Sequence, residues 1–479
     1  MYPPFTPDPR GENRSAGRWT TNGFREAESD TTVTTESPRA KGIVAVMGLG
    51  YVGLPTSLGL VDAGYQVIGI DIDPSRLTAI RSGRVDLPES DHPRLATALA
   101  KQRLILSSDP VAVQSTEAVL VCVPTPLDAH RLPSLTALER ACDDVVRNAV
   151  PGQLIVLTST SYVGTTSDLL VVPLLARGLT PGRDIHVAFA PERIDPGNQI
   201  FPQEAVPRVV GGVTSACAER ACALLGPIVG GLHVASAPVV AELSKLLENT
   251  FRAVNIALAN ELADISATLG LDPMEVINAA ATKPYGFMPF YPGAGAGGHC
   301  IPVDPHYLLW QLRPHSLTTP VIGQAMEALA ARPGRMVDRA VQLLSDAGKG
   351  LRGARVLMTG VAYKPGVADL RCSPALDMIQ LLAERGAEVA YHDPLVDQVR
   401  LAEGHPVRSD PAPLPEDYDL VVVYGLQPGF DYAWLDRCRL LLDCTYRLGI
   451  GAEIPATGEL RDERDDDFGQ VDDVALSAR

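Results

Sequence analysis

Short apolar runs alternate with amphipathic stretches from about residue 42 to about residue 450. The runs Ile43–Met47 and Gln66–Ile70 predict two buried strands. The stretch Leu54–Ala63 between them predicts a helix that Gly64 ends. Later apolar runs predict further parallel strands at Ala118–Val123, Leu154–Thr158 and His186–Phe189. Such alternation is typical of an α/β fold.

The pattern changes at Ser236, where a single long helix is predicted to run as far as Gly270. Ser236 is its predicted N-cap, Pro238 lies in its first turn, and Gly270 ends it. A second α/β unit follows, with strands predicted at Arg355–Thr359, Glu388–Tyr391 and Leu420–Tyr424 and a helix at Ala375–Arg385. We therefore expect an α/β protein with two Rossmann-like, doubly wound domains joined by a long central helix.

These patterns divide the chain into five segments. Residues 1–40, rich in Pro, Thr, Ser and charge, predict a disordered extension. A first Rossmann domain is expected at 41–235, a central helical and dimerisation domain at 236–331, and a second Rossmann-like domain at 332–455. Residues 456–479 predict an acidic, disordered tail.

Composition narrows the possible partners. The net charge of −16 argues against nucleic acid or an anionic membrane as the main partner. No apolar run approaches the roughly 20 residues that span a bilayer, and the N-terminus lacks the apolar region of a signal peptide. Eight cysteines without a CxxC pair favour reduced thiols, so we expect a soluble, cytoplasmic protein.

The segment GLGYVGLP carries the first chemical motif. Gly48, Gly50 and Gly53 follow a predicted strand and open a helix, an arrangement that lets a pyrophosphate approach the helix N-terminus. Asp71 ends the second strand, where an acid binds the adenosine ribose and favours NAD over NADP. The nearby Arg76 complicates that preference. The pattern predicts dinucleotide binding.

The segment PGAGAGGHCIPVDP carries the second motif. A backbone stripped of side chains lets a ligand approach the main chain, and Cys300 follows it directly. From the residues alone, this thiol is a nucleophile, a metal ligand or a buried small apolar group. Because adjacent side chains point apart, a zinc site that uses His299 and Cys300 is disfavoured, and no metal is expected.

The motifs together resemble the nucleotide-sugar 6-dehydrogenases, the family of UDP-glucose and UDP-N-acetylhexosamine dehydrogenases. The resemblance implies that a sugar CH2OH is converted to a carboxylate by two successive hydride transfers to NAD, without release of the aldehyde. It is carried by GLGYVGLP (48–55), VPTPL (123–127), PERIDPGN (191–198), KLLENTFRAVNIALANELA (245–263), PGAGAGGHCIPVDP (292–305) and GVAYKPGVADLRCSPA (360–375).

The resemblance also implies roles for particular residues. Cys300 is the expected nucleophile, which forms a thiohemiacetal and then a thioester. Lys245 and Asn249 lie four residues apart and are expected to stabilise an oxyanion, although their spacing alone fits a solvated lysine beside an interior asparagine. Asp304 is expected to position a water or a proton carrier. Glu192 is expected to act as general base when water cleaves the thioester.

Further residues are expected to hold the two ligands. The expected cofactor contacts, besides the glycine turn, Asp71 and Arg76, are Tyr51, Val52, Thr125, Thr160 and Arg371. Thr160 is also expected to hold the catalytic water. The expected substrate contacts, besides Glu192, Lys245 and Asn249, are Arg193, Tyr291, Gly293, Gly295, Gly297, Lys364 and Arg447. For Lys364 and Arg371, a plain surface position is the alternative.

The chain departs from the family pattern at four positions. An acid is expected where Thr158 stands and a proline where Val163 stands, so the geometry at the cofactor edge differs. Ala294 replaces a frequent proline and Cys372 a frequent glutamate.

Substrate and assembly follow from finer features. The segments PERIDPGN, ATKPYGFMPFYPG and GGHCIPVDPHYL resemble the UDP-N-acetylglucosamine branch more than the UDP-glucose branch. UDP-N-acetylglucosamine is the expected substrate; UDP-glucose and the N-acetylmannosamine and N-acetylgalactosamine epimers are alternatives, and a non-catalytic nucleotide-sugar-binding protein is the alternative of another class. The long helix predicts a homodimer or a larger even oligomer, because it is apolar on several faces. Its apolar positions include Leu243, Leu246, Leu247, Val254, Ile256 and Leu258.

Overall fold

The computed structural model describes residues 41–88, 90–194, 205–401 and 406–448. The extension predicted at residues 1–40 and the tail predicted at 456–479 lie outside these ranges, as do residues 195–198 of the PERIDPGN motif. Within the described ranges, no helix is long and apolar enough to cross a membrane.

Eight strands of the described chain form the sheet of the first domain: β1 (Ile43–Met47), β2 (Gln66–Ile70), β3 (Leu104–Ser107), β4 (Ala118–Val121), β5 (Leu154–Leu157), β6 (His186–Phe189), β7 (Arg208–Gly212) and β8 (Leu232–Ala235). Their order is β3-β2-β1-β4-β5-β6-β7-β8, and all neighbours are parallel except β6 and β7. Chain order reverses between β1 and β4, which creates a crevice at the carboxyl ends of those strands.

Helices cover both faces of this sheet: α1 (Gly53–Asp62), α2 (Pro74–Arg81), α3 (Asp91–Ala100), α4 (Thr136–Asn148), α5 (Val172–Ala176), which continues a π-helical turn at Ser167–Val171, and α6 (Ser215–Leu225). Successive β1 side chains enter opposite cores, as strand geometry requires. Val46 packs in the cluster that holds Leu58 of α1. Met47 packs in the cluster that holds Leu138 of α4.

The predicted long helix is α7 (Pro238–Leu269). Gly270 ends it in the left-handed conformation with φ 69°, which confirms the predicted end. The predicted N-cap at Ser236 is wrong: Ala237 precedes the helix, and no side chain caps it. Pro238 at the first position removes one backbone N–H that would otherwise need a partner, so the helix begins without a polar cap.

Three helices follow: α8 (Pro273–Ala281), α9 (Asp304–Leu312) and α10 (Pro320–Asp346). Helix α10 runs through the predicted boundary at residues 331 and 332 and contains Pro333. The buried Arg332 beside this proline donates to Asp264 of α7 at 2.6 Å and to the Tyr446 hydroxyl at 2.5 Å. This guanidinium therefore joins α7, α10 and the end of the second domain.

The second domain contains a parallel sheet with order β10-β9-β13-β14 and an antiparallel hairpin of β11 and β12. The strands are β9 (Arg355–Thr359), β10 (Glu388–His392), β11 (Gln398–Arg400), β12 (Pro406–Arg408), β13 (Leu420–Val423) and β14 (Leu441–Asp443). Helix α11 (Pro374–Glu384) connects β9 to β10. The predicted α/β class with two Rossmann-like domains and a long central helix is confirmed.

Candidate active site

A cavity of about 320 Å³ lies at the carboxyl edge of the first sheet. The loops after β1, β4, β5 and β6 form one side of it, and α7 with the loop before α9 forms another. Tyr363 and Lys364 reach it from the second domain. Parallel strands bring their carboxyl ends together at one edge, which explains why distant motifs meet here.

The three glycines of the GLGYVG turn differ in what surrounds them. A Cβ on Gly48, whose φ is 87°, would lie 2.6 Å from the Cys122 carbonyl oxygen. A Cβ on Gly53 would lie 1.8 Å from the Gly48 carbonyl oxygen. A Cβ on Gly50 would meet no atom within 4 Å. Gly48 and Gly53 thus allow the turn to form, while Gly50 leaves the open space that a cofactor pyrophosphate requires.

Asp71 and Arg76 both hold the same turn. The Asp71 carboxylate accepts from the Leu49 N–H at 2.9 Å, and the Arg76 Nε donates to the Leu49 carbonyl at 2.8 Å. The second Asp71 oxygen accepts from the Asp73 N–H at 3.0 Å. A carboxylate oxygen accepts more than one hydrogen bond, so Asp71 can still receive a ribose hydroxyl.

Alanine variants of two glycines should separate the structural from the ligand-binding role. Gly53→Ala should lower the melting temperature by several degrees, because the new methyl group overlaps the Gly48 carbonyl. Gly50→Ala should leave the melting temperature within about 1 °C of the parent and weaken NADH binding roughly tenfold or more. Thermal unfolding and fluorescence titration with NADH measure the two effects, and equal loss of stability in both variants would contradict this assignment.

Helix α7 contributes one polar face to the cavity. Lys245, Glu248, Asn249 and Arg252 line it, at spacings that place them on one side of a helix. Lys245 and Asn249 are both buried, and the Asn249 amide donates to the Asp304 carboxylate at 2.5 Å. The predicted ammonium and amide therefore lie beside the predicted acid.

Cys300 and Asp304 are held together by the start of α9. The Asp304 N–H donates to the Cys300 carbonyl at 2.8 Å. Burial raises the pKa of Asp304 to about 6, although Lys245 and the Asn249 amide oppose that rise. Burial and the Asp304 carboxylate raise the pKa of the Cys300 thiol to about 11, against the opposing charges of Lys245, Arg252 and Arg371. A thiol with a pKa of about 11 is protonated at neutral pH.

His299 is not a base for this thiol. Its ring nitrogens lie 3.8 and 3.9 Å from the Cys300 Sγ. Burial and the positive charge of Arg371 lower its pKa to about 4, so the imidazole is neutral near pH 7. A neutral ring does not stabilise a thiolate as an imidazolium does. The described residues contain no cluster of three or more possible metal ligands.

The charge of Asp304 should be visible in the reactivity of Cys300. In Asp304→Asn, loss of the negative charge should lower the pKa of Cys300, so alkylation by iodoacetamide should rise at lower pH than in the parent. The shift should be on the order of one pH unit. Rates of Cys300 alkylation are followed by peptide mass between pH 7 and 11, and the pH at which each variant reaches the same rate is compared. The exposed Asp346→Asn is the matched control; equal rate profiles in both variants would refute the coupling.

Glu192 forms a buried ion pair that the sequence did not reveal. Its carboxylate contacts the guanidinium of Arg208, at the start of β7, and both side chains are at least nine-tenths buried. Burial lowers the pKa of Arg208 to about 10. Arg193, which the sequence left as paired or exposed, contacts Glu248 of α7 and donates to the Pro207 carbonyl at 2.9 Å.

The segment around Thr160 is held by the side chain of Gln311 on α9. Thr160 lines the cavity together with Thr158 and Ser159. The Gln311 amide accepts from the Val163 N–H at 3.0 Å and donates to the Val163 carbonyl at 2.6 Å. These bonds hold the backbone where a proline was expected. Within the described chain, the buried Thr158 hydroxyl has no hydrogen-bond partner.

Comparison with known proteins identifies the family. Models of the UDP-glucose/GDP-mannose dehydrogenase family match its NAD-binding domain to residues 43–229, its central domain to 239–328 and its UDP-binding domain to 357–445. The chain belongs to this family. Its members are NAD-dependent nucleotide-sugar 6-dehydrogenases, and the first Rossmann domain is their NAD-binding domain.

Three relatives illustrate the similarity. The UDP-N-acetyl-D-glucosamine 6-dehydrogenase of Pseudomonas aeruginosa is 36% identical over 74% of this chain and 83% of its own length. The NDP-N-acetyl-D-galactosaminuronic acid dehydrogenase of Ralstonia nicotianae is 35% identical over 71% and 80%. The solved structure of the UDP-D-ManNAc dehydrogenase of Pyrococcus horikoshii is 32% identical and superposes with a TM-score of 0.77. The match covers 84% of this chain and 95% of the Pyrococcus chain.

The UDP-binding domain of this dehydrogenase closes one side of the cavity. Lys364 lines it, as expected for a substrate contact. The Arg371 guanidinium lies 4.2 Å from the ring centre of Tyr51 in the glycine turn and pairs with Asp369 at 2.5 Å. Arg371 therefore connects the UDP-binding domain to the NAD-binding turn.

Two of the glycines before Cys300, which were expected to contact substrate, pack against the UDP-binding domain. A Cβ on Gly297 would lie 2.5 Å from the Tyr363 Cβ, and one on Gly295, whose φ is 144°, would lie 3.0 Å from Pro374. These two glycines permit close packing of the UDP-binding domain, and Gly297 also lines the cavity. Gly293 has open space, and its N–H donates to Asn260 at 2.8 Å.

The remaining predicted contacts occupy different places. Tyr51, Val52 and Thr125 line the cavity, and the Thr125 carbonyl accepts from the Tyr307 hydroxyl at 3.1 Å. Tyr291 and Arg447 lie outside the cavity lining; the Tyr291 hydroxyl donates to Asn278 at 2.9 Å. Sequence reasoning missed four residues at the site: Glu248, Arg252, Tyr363 and Arg208. The first three lie inside recognised motifs but were given no role there, and Arg208 lies in none of the motifs.

Proposed function

We propose that this protein oxidises the C6 hydroxyl of UDP-N-acetylglucosamine to a carboxylate and consumes two NAD for each sugar. The observation that carries the proposal is the meeting of Cys300, Lys245, Asn249, Asp304 and Glu192 in one cavity beside the NAD-binding turn. Together these groups supply a nucleophile, a general base, a proton carrier and a pair of oxyanion donors for a four-electron oxidation. A fold kept for binding alone has no need of this set.

The first oxidation converts the alcohol to an aldehyde. NAD, when bound, accepts the hydride in each of the two oxidations. The C6 hydroxyl also loses a proton, for which the raised pKa of Asp304, about 6, makes its carboxylate a suitable carrier through water. Lys245 and Asn249 stabilise the negative charge that develops on the C6 oxygen.

The second oxidation needs Cys300. Its sulfur adds to the aldehyde carbon, its proton passes to solvent water through the Asp304 carboxylate, and the C6 oxygen becomes the oxyanion of a thiohemiacetal. The C6 hydrogen then leaves as a hydride, and the carbon remains bonded to sulfur as a thioester. Lys245 and Asn249 stabilise the same oxygen in this step. Because the aldehyde is bonded to the enzyme, it does not escape between the two oxidations.

Hydrolysis completes the cycle. Glu192 takes a proton from a water that attacks the thioester carbon, the carbon–sulfur bond breaks, and Glu192 gives that proton to the sulfur. The product is the uronate, and Cys300 returns to its starting state. The Arg208 guanidinium keeps the Glu192 carboxylate fixed at the cavity wall. Thr160 lines the same wall and is suited to hold the water.

The choice of sugar rests on the relatives of this chain. The relatives act, by name, on N-acetylglucosamine, N-acetylmannosamine and N-acetylgalactosaminuronic acid derivatives, so similarity favours an acetamido group at C2. UDP-glucose and the C2 and C4 epimers are the alternatives. A pocket that hydrogen-bonds the acetamide would leave buried polar groups unpaired with glucose, which makes strong discrimination feasible.

A panel of UDP-sugars tests the proposal. NADH formation at 340 nm is followed with purified protein and UDP-N-acetylglucosamine, UDP-N-acetylgalactosamine, UDP-N-acetylmannosamine and UDP-glucose. We expect the largest kcat/KM with UDP-N-acetylglucosamine and two NADH for each sugar consumed. A clear preference for UDP-glucose would overturn the sugar assignment alone. No reduction with any sugar would overturn the enzymatic assignment and favour a binding protein.

We also propose that two copies associate through α7. Leu246 is buried within the chain, but Leu243, Leu247, Phe251 and Leu258 on the same helix are each more than two-fifths exposed. A contiguous apolar helix face of this kind is typical of a protein interface. Light scattering at micromolar concentration should give the mass of a dimer or a larger even oligomer, and a monomeric mass would refute the interface.

A further inference from the structure

The UDP-binding domain repeats the turn that holds the cofactor in the NAD-binding domain. Gly48 follows β1 with φ 87° and Gly360 follows β9 with φ 81°. A Cβ on either glycine would overlap a carbonyl oxygen that follows the neighbouring strand. The oxygen is that of Cys122 at 2.6 Å for Gly48 and that of Gly425 at 2.1 Å for Gly360. In each domain a carboxylate accepts a hydrogen bond from the N–H of the residue that follows this glycine. Asp71 accepts from Leu49, and Asp393 accepts from Val361 at 2.8 Å. The two domains therefore share one arrangement of turn and acid.

A cleft of about 760 Å³ lies beside Asp393, at the carboxyl end of β10. Ligands of doubly wound domains bind at this edge of the sheet. Three kinds of side chain converge there: the aromatic rings of Phe430 and Trp434, the guanidinium groups of Arg408 and Arg437, and the carboxylates of Asp397 and Asp431. In the described part of the chain, this cleft shares no lining residue with the active-site cavity.

These side chains match the parts of a nucleotide. Aromatic faces stack on a base and contribute about 1–3 kcal/mol for each base in proteins that bind single strands. Arginine binds phosphate through its planar set of donors. A carboxylate accepts the hydroxyl groups of a ribose. Phe430 is 47% exposed, so its ring is accessible to a ligand.

Buried hydrogen bonds connect the cleft to the active site. The Asp393 carboxylate accepts from the Val361 and Ala362 N–H groups at 2.8 and 3.3 Å. The Gln427 amide donates to both Asp393 oxygens at 3.3 Å and accepts from the Gly366 N–H at 2.8 Å. Asp393 and Gln427 thus hold both ends of the segment 361–366. Tyr363 and Lys364 lie within that segment and line the active-site cavity.

We propose that this cleft is a second nucleotide site and that its occupation alters UDP-sugar binding by moving the segment 361–366. Because Asp393 is occupied by the backbone and Gln427, it transmits the change. Asp397, and the Asp431 oxygen that does not accept from the Ala433 N–H, face the ribose hydroxyls. The shared ligand chemistry is an aromatic base, a ribose and a phosphate. Adenosine and uridine nucleotides are the two sources that the experiment distinguishes.

Binding is measured on the full chain with its active site filled. The protein is saturated with NADH and UDP-N-acetylglucosamine, a mixture in which oxidation has no hydride acceptor. UMP, UDP, AMP, ADP and inorganic phosphate are then titrated by calorimetry. We expect a uridine or adenosine nucleotide to bind with submillimolar affinity, phosphate alone not to bind, and Trp434→Ala and Arg437→Gln each to weaken binding at least tenfold. The exposed neighbour Arg439→Gln is the matched control.

Two results would overturn the site: no nucleotide binds the saturated protein, or binding is unchanged in both Trp434→Ala and Arg437→Gln. The measurement needs no turnover, so it is independent of the reaction proposed above. If the sugar panel fails, the comparison of Arg437→Gln with Arg439→Gln on the protein with NADH alone still reports on the cleft, because Arg437 lies outside the active-site cavity. Nucleotide that binds with normal affinity to Arg439→Gln but not to Arg437→Gln supports the site in either case.

The connection is tested by the kinetics of the nucleotide effect. The bound nucleotide should change the KM for UDP-sugar at least threefold and kcat less than twofold, and Trp434→Ala should remove the effect. Gln427→Met and the shorter Gln427→Asn should keep nucleotide binding but lose the KM change, since the bond to Gly366 is broken. Persistence of the KM change in both Gln427 variants, or its absence in the parent, would refute the connection.

Discussion

Cys300→Ser should lose at least about a thousandfold in the rate of uronate formation, because removal of a covalent nucleophile has costs of that order or greater. A serine hydroxyl adds to an aldehyde far less readily than a thiolate. The first oxidation does not use the sulfur, so a slow release of NADH and aldehyde should remain. Stopped-flow absorbance at 340 nm and product analysis by mass spectrometry measure the two oxidations separately.

The matched control for this variant is Cys222→Ser, on α6 and away from the cavity. It should retain the parent rate and the ratio of two NADH for each sugar. Uronate formation at the parent rate in Cys300→Ser would disprove the thioester role. Because the Cys300 thiol is protonated at neutral pH, the parent rate should also rise with pH over the range in which the thiol ionises.

Most of the fold followed from local pattern. The strands β1, β2, β6 and β9 have the predicted bounds, because each is a short apolar run limited by glycine or polar residues. Strands β3, β7, β8, β11, β12 and β14 were not predicted. Several of these strands contain charged residues or glycine, such as Arg208 and Gly212 at the two ends of β7. Their apolar pattern is therefore weak. The predicted N-cap at Ser236 is wrong because α7 begins at Pro238 without a side-chain cap.

The candidate site followed from recognisable motifs, but its supporting contacts did not. Cys300, Asp304, Lys245 and Asn249 meet as expected, since helical spacing and the glycine loop carry that information in the sequence. The contact of Arg208 with Glu192 joins β7 to a loop after β6, and no local pattern encodes a contact between such segments. The packing of Gly297 against Tyr363 depends on how the two domains meet. Both features are tertiary.

Glu192→Gln should accumulate the thioester. The carboxamide keeps the shape of the side chain but does not take a proton from water, so hydrolysis should slow by about 10²- to 10⁴-fold. Both oxidations precede hydrolysis and should continue for one turnover. We expect a burst of two NADH for each active site, and intact-mass measurement should show the enzyme bonded to the sugar nucleotide.

The Glu192→Gln variant needs a control for stability, because Glu192 pairs with Arg208. Removal of the Glu192 charge leaves a buried guanidinium without its counter-charge, which is expected to destabilise the fold by about 3–5 kcal/mol. The double variant Glu192→Gln with Arg208→Gln removes both charges, and it should recover part of the melting temperature while hydrolysis stays slow. A bare enzyme mass together with an undiminished rate in Glu192→Gln would exclude the base role. If the double variant regained hydrolysis along with stability, the loss in the single variant would be structural, and Glu192 would serve only to position Arg208.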